Sequence, residues 1–194
     1  MSGLLDGLMQ HLDQGTMQQV SNALGTDSAT TTGAVAAAMP VLVAALAKNA
    51  SEPGGATALA GALDRDHDGS GLDDVMAMVS GAQGGAGQAM LGHILGRGQT
   101  GVTQSLGAAT GLDGARATKL LVMLAPVVLA YLGRAKRDQG LDAGGLGTML
   151  GTERDKITAQ GGGALGGLLS MLDRNHDGSV VDDVGSMVGK MFGR

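Results

Sequence analysis

The chain has 194 residues, a net charge of −5 and no cysteine, which excludes a disulfide framework and thiol chemistry. One Tyr, one Phe and no Trp, together with the acidic balance, leave neither a basic surface nor stacking aromatics for nucleic acid. The apolar fraction of 43% is mostly Ala, Leu, Val and Met, which favours closely packed helices over sheets.

Apolar residues at helical spacing predict two short amphipathic helices at the start of the chain. Leu4, Leu8 and Leu12 belong to the first, and Val20 and Leu24 belong to the second. The stretch 25–28 stops the second helix and offers capping oxygens for the next, at about 29–49. Pro40 lies inside that third helix, so it is either kinked or divided into two helices near Met39.

A turn at 51–55 and a short helix at 56–63 precede an acidic loop, after which an exit helix begins at Asp73 or Asp74. The Gly-rich stretch 81–87 that follows is the best linker candidate in the chain. The predicted organisation is a first helical repeat at 1–80 with its loop at 64–75, then the linker, then a second repeat at 88–194 with a loop at 173–184.

The second repeat follows from a shift of 86 residues, which superimposes Gly25 on Gly111, Asp27 on Asp113 and Pro40 on Pro126. This pattern indicates an internal duplication. The second copy carries extra residues at about 134–160, with a basic cluster and a spacing of Leu146, Met149 and Leu150 that suggests one or two helical turns. We expect this insertion to be a solvated surface excursion; the alternative is that function lies in it.

Both acidic loops place oxygen-bearing side chains at positions 1, 3, 5 and 7, a Gly at position 6, and carboxylates at positions 10 and 11. This spacing resembles the calcium loop of an EF-hand, although Val75 and Val184 replace the bidentate Glu at position 12. The loops hold nine of the 18 carboxylates. The predicted metal ligands are Asp64, Asp66, Asp68, Ser70 and Asp74 in the first loop, and Asp173, Asn175, Asp177, Ser179 and Asp183 in the second.

The ligand set favours calcium at two sites, with magnesium as the alternative ion. Asp73 and Asp182 are interpreted as helix caps or water-mediated ligands, although either neighbouring pair of aspartates could close its loop. Asn175 removes one charge from the second loop, so we expect that loop to bind more weakly. The opposing interpretation is a polar turn between helices, but finding the full pattern twice favours metal binding.

The chain resembles a bacterial family known as domain of unknown function 937. The resemblance rests on the two acidic loops and four short motifs, namely Ala38-Met39-Pro40, Gly54-Gly55-Ala56, Gly92-His93-Ile94-Leu95-Gly96 and Leu124-Ala125-Pro126. It covers the chain from about Leu4 to Val188. Membership implies a small all-helical protein with EF-hand-like loops, and it implies no activity.

We therefore expect an all-α, internally duplicated helical bundle with two EF-hand-like helix-loop-helix calcium loops. The predicted function is non-enzymatic calcium binding, structural or sensing, because no motif unites a nucleophile and a base. The alternative is a self-assembling homo-oligomeric scaffold whose loops bind metal only for stability. The apolar run at 120–132 is short for a bilayer span, and no basic segment opens the chain, so we expect no membrane span and a cytoplasmic location.

Overall fold

The computed structural model describes residues 3–66, 75–82 and 85–160, and within these ranges all regular structure is helical. This confirms the all-α prediction for the described part of the chain. A short 3-10 turn, Gly96–Gly98, joins the sixth and seventh helices. The α-helices of these ranges are α1 (Leu4–Gln10), α2 (Gln14–Leu24), α3 (Ser28–Ser51), α4 (Gly55–Asp66), α5 (Val75–Gly81), α6 (Ala86–Leu95), α7 (Gln99–Thr110), α8 (Gly114–Asp138) and α9 (Ala143–Gln160).

Aspartate side chains cap the starts of four described helices; that of α9 is Asp142, which accepts a hydrogen bond from the N–H of Gly145. Asp13, Asp27 and Asp113 are the N-cap residues of α2, α3 and α8, and each accepts a hydrogen bond from a backbone N–H three residues further on. These bonds satisfy one of the free N–H groups at each helix start. The donors are the N–H groups of Thr16, Thr30 and Arg116. The predicted cap at 25–28 is thus confirmed, with Asp27 as the capping residue.

Proline interrupts neither of the two longest helices. α3 continues from Ser28 to Ser51 with Pro40 inside it, so the alternative of two helices meeting near Met39 is wrong. Pro126 lies inside α8 in the same way. A proline removes one backbone hydrogen bond, but Val35 and Leu42, on either side of Pro40, are fully buried. Burial of the residues around each proline offsets that loss.

The core forms around α3 and α8, which pack against each other. Every residue from 121 to 130 in α8 is buried, as expected for a helix surrounded by other helices. The two predicted repeats contribute to one hydrophobic cluster, which includes Leu8 and Leu42 from the first and Leu124 from the second. Gly87, at the end of the predicted linker, lies in α6, where an added Cβ would contact Val122 of α8.

The predicted insertion at 134–160 is not a surface excursion. It contains the end of α8 and the whole of α9, and α9 packs against α3 and α4. Leu146 and Leu150 of α9 are fully buried, and Ile157 is 7% exposed. The expectation of a solvated segment is therefore wrong, because the apolar residues continue at helical spacing well beyond the turn or two predicted from the sequence.

α3 and α8 are long and apolar enough to cross a membrane, judged by length and hydropathy alone. The helix around the apolar run at 120–132 has 25 residues, so the argument that this segment is too short does not hold. The most apolar windows of α3 and α8 are 50% and 72% buried inside the protein, as is common for core helices. The absence of a membrane span and the cytoplasmic location both stay predictions.

Candidate metal site

Asp64 and Asp66, two of the ten predicted metal ligands, lie in the last turn of α4. The helix extends three residues beyond its predicted end at 63 and includes the first three positions of the acidic loop. The remaining predicted ligands lie outside the described residues; they are Asp68, Ser70, Asp74, Asp173, Asn175, Asp177, Ser179 and Asp183. Asp73 and Asp182, the alternative closing residues, also lie outside them.

The helical geometry keeps Asp64 and Asp66 apart. Residues two positions apart on an α-helix project in directions that differ by about 200°, so these two carboxylates do not converge on one point. Consistent with this, no cluster of three or more His, Asp or Glu side chains that could hold a metal ion occurs within residues 3–66, 75–82 and 85–160. For both aspartates to bind one ion, the last turn of α4 must unwind.

Asp64 pairs with a lysine from a distant part of the chain. The Nζ atom of Lys136 in α8 lies 2.6 Å from Oδ1 of Asp64. The Lys136 side chain is only 13% exposed, whereas that of Asp64 is 56% exposed. Asp64, a predicted calcium ligand, is therefore already paired with a positively charged side chain. That side chain, Lys136, belongs to the basic cluster noted in the sequence.

Buried apolar side chains anchor the helices next to this acidic stretch. Leu63 in α4 is 1% exposed and Val75, the first residue of α5, is 6% exposed. α4 packs against α3, α8 and α9, and α5 packs against α2 and α8. Gln19 of α2 also donates a side-chain hydrogen bond to the hydroxyl of Ser80 in α5. The end of α4 and the start of α5 are thus both attached to the core.

A buried carboxylate that sequence reasoning missed lies at the junction of α1 and α9. The side chain of Glu153 is 8% exposed and accepts hydrogen bonds from the backbone N–H of Leu4, at 3.2 Å, and from Nζ of Lys156, at 2.5 Å. One signal could have located it: Glu153 falls on the same helical stripe as the buried residues Leu146, Leu150 and Ile157. Its place in the charged run 153–156 predicts an exposed side chain instead.

Tyr131 of α8 lies close to the same junction and packs against α1. Its ring meets that of His11 edge to face, with centroids 5.3 Å apart, and Nδ1 of His11 lies 2.9 Å from the carbonyl oxygen of Gly7. Burial raises the pKa of Tyr131 above its usual value of 10.0, and the negative charge of Glu153 raises it further. The phenol is therefore neutral near neutral pH, and its packing against His11 and Gly7 holds α1 against the core.

Over the described residues, the fold is that of an all-helical protein in which α4 and α5 flank an acidic stretch. A family model described as bacterial protein of unknown function (DUF937) matches residues 6–135, and the chain belongs to that family. The matched region contains the first acidic loop and ends before α9 and the second loop, which is a shorter range than the sequence motifs suggested. Neither the search of curated proteins nor the search of solved structures found a match.

Proposed function

We propose that this protein binds calcium without catalysing a reaction, through the acidic loops at 64–75 and 173–184. In this proposal the ion joins the helices on the two sides of each loop, in a structural or a sensing role. Metal that binds the folded chain and not the unfolded one stabilises the fold by mass action. Magnesium remains the alternative ion, because the same oxygen ligands accept it.

The observation that carries the proposal is the position of Asp64 and Asp66 at the carboxyl end of α4. The free carbonyl groups at that end of a helix carry a partial negative charge, so carboxylates placed there destabilise it. Arg65 and Lys136 offset part of this charge. A divalent cation at the same place would remove the remaining repulsion and would receive ligands from the side chains that cause it.

The anchoring of the flanking helices also supports the proposal. Leu63 and Val75 are buried in the common core, which attaches α4 and α5 to the rest of the fold. Binding then costs less conformational entropy than it would if the ion had to order both helices. The local cost is the unwinding of residues 64–66, which brings the carboxylates of Asp64 and Asp66 to one side.

The proposal includes an internal duplication, from which a second site follows. The helix starts Ser28 and Gly114 are 86 residues apart, as are their N-caps Asp27 and Asp113. Gly25 and Gly111, each one residue after α2 and α7, both adopt positive φ values, of 65° and 74°. This equal spacing of caps and turns supports two copies of one unit. Superposition of α2 and α3 on α7 and α8 in an experimental structure would test it.

Calcium titration into chelator-treated protein, followed by calorimetry, tests the function. We expect two sites with dissociation constants in the range of about 10⁻⁶ to 10⁻³ M, because the bidentate Glu of the standard loop is missing. Asp64→Ala should remove one site and Asp173→Ala the other. Asp155→Ala is a matched control, since this exposed aspartate pairs with Arg154 on the surface of α9. If the wild type gives no more heat than the double variant, the proposal is wrong.

The scaffold alternative has its own test. Light scattering with and without calcium measures the molar mass of the protein in both states, and a self-assembling scaffold must exceed one chain in at least one of them. A single-chain mass under both conditions would eliminate the scaffold. It would leave calcium binding by a monomer intact.

A further inference from the structure

Lys136 connects the first acidic loop with the region around α9. Its Nζ atom lies 2.6 Å from Oδ1 of Asp64, and with 13% of its side chain exposed it is more buried than its partner. A largely buried ammonium group requires a nearby negative charge, because desolvation of an unpaired charge is costly. Asp64 supplies that charge, and the pair fixes the end of α4 against α8.

The backbone of Lys136 also takes part in the turn from α8 to α9. Its carbonyl oxygen accepts a hydrogen bond of 2.9 Å from the N–H of Leu141, and the φ of 61° at Gly140 allows the chain to reverse there. α9 begins two residues after Leu141, at Ala143. The side chain that binds Asp64 therefore belongs to a residue of the turn that positions α9.

We infer that Lys136 is an internal competitor for the cation at Asp64, so that calcium binding to the first loop displaces its ammonium group next to the α8–α9 turn. The inference rests on the proposed function. An ion that binds Oδ1 competes with Nζ for the same oxygen atom. An ion that binds Oδ2 would lie within about 5 Å of Nζ, and like charges at that distance repel each other.

This competition changes which of the two loops is expected to bind calcium more tightly. By charge alone the first loop should bind more tightly, because Asn175 replaces an aspartate in the second. Lys136 lowers the calcium affinity of the first loop, since part of the binding energy there is needed to break its ion pair with Asp64.

The first experiment measures calcium affinity in an Asp173→Ala background, which isolates the first loop. Lys136→Met removes the competitor and keeps most of the side-chain volume. Lys156→Met removes the same charge from an ion pair with Glu153 rather than with Asp64, and measures the general electrostatic effect. We expect Lys136→Met to tighten binding about fivefold more than Lys156→Met does, as when an ion pair worth about 1 kcal/mol no longer has to be broken.

The second experiment follows the displacement itself in the chain with Lys136 intact. Amine-reactive labelling with mass spectrometry compares the rate at Lys136 with and without calcium. Lys156 is the control, since it too is bound to a carboxylate, but to that of Glu153 in α9 rather than to Asp64. Calcium should accelerate the labelling of Lys136 and leave that of Lys156 unchanged.

The outcomes separate the two proposals. Faster labelling of Lys136 together with tighter binding by Lys136→Met supports the competition. Calcium binding in the Asp173→Ala background with unchanged labelling and matching affinities of the two Met variants overturns it, while the calcium-binding function stands. Absence of calcium binding in the wild type overturns the function, and the competition with it. If Lys136→Met does not fold, the labelling result decides.

Discussion

The carboxylate of Glu153 in α9 accepts a hydrogen bond from the backbone N–H of Leu4 in α1, at 3.2 Å and 149 residues away in the sequence. Leu4 is the first residue of α1, so its N–H has no partner inside the helix. A negative charge at this end also matches the helix dipole. The contact joins the start of the described chain to its last described helix.

Glu153→Ala should destabilise the protein by about 1–3 kcal/mol, because it leaves a buried N–H and the ammonium of Lys156 without this acceptor. Glu153→Gln should cost less, since the amide oxygen can still accept from Leu4. Urea unfolding followed by circular dichroism measures both. Asp155→Ala, at the exposed partner of Arg154, is the control and should change the free energy of unfolding by less than about 0.5 kcal/mol. Equal effects at the two positions would contradict the role of Glu153.

Gly7→Ala should loosen α1, because the added Cβ would overlap the hydroxyl of Tyr131. We expect a loss of about 1–3 kcal/mol, which is typical of overpacking. Tyr131→Phe in the same chain should restore part of it by removing the overlapping oxygen. Gly33→Ala is the matched control in α3, where an added Cβ meets nothing within 4 Å. It should stabilise the protein by about 0.5–1 kcal/mol through helix propensity, so a loss there would contradict the argument.

Leu150→Ala should cost about 2–5 kcal/mol, as expected for a fully buried leucine. The comparison is Thr148→Ala, at an exposed position of the same helix. The melting temperatures of the two variants therefore test whether α9 is a core helix or a surface segment. Similar melting temperatures for both variants would show that α9 does not belong to the core.

The stabilising effect of Asp27 should depend on pH. Hydrogen bonds from the backbone N–H and hydroxyl of Thr30 lower the pKa of Asp27 below its usual 3.8. A carboxyl whose pKa is lower in the folded state stabilises the fold fully above pH 3.8 and loses that effect as pH falls through the lowered value. The difference in melting temperature between wild type and Asp27→Ala should thus be constant above about pH 5 and shrink below 3.8. A constant difference down to pH 2 would contradict this.

The sequence by itself determined several of the helices and some of their ends. Helical spacing of leucines, aspartates before helix starts and glycines after helix ends act within a few residues, so they can be recognised without knowing the fold. The start of α3 after Asp27 and the turn at Gly25 follow directly from such signals. The spacing of the acidic residues within each loop is equally local, so a metal site can be predicted from the sequence alone.

Only the tertiary structure decided which residues that are distant in the sequence contact each other. The pairing of Lys136 with Asp64 and of Glu153 with Leu4 joins residues 72 and 149 positions apart. No local pattern encodes such contacts, because they depend on how α8 and α9 pack against α1 and α4. The same packing buries α9, whose charged residues resemble a surface segment until α3 is seen to cover its apolar side. Long-range burial, rather than composition, therefore separates core from surface in this protein.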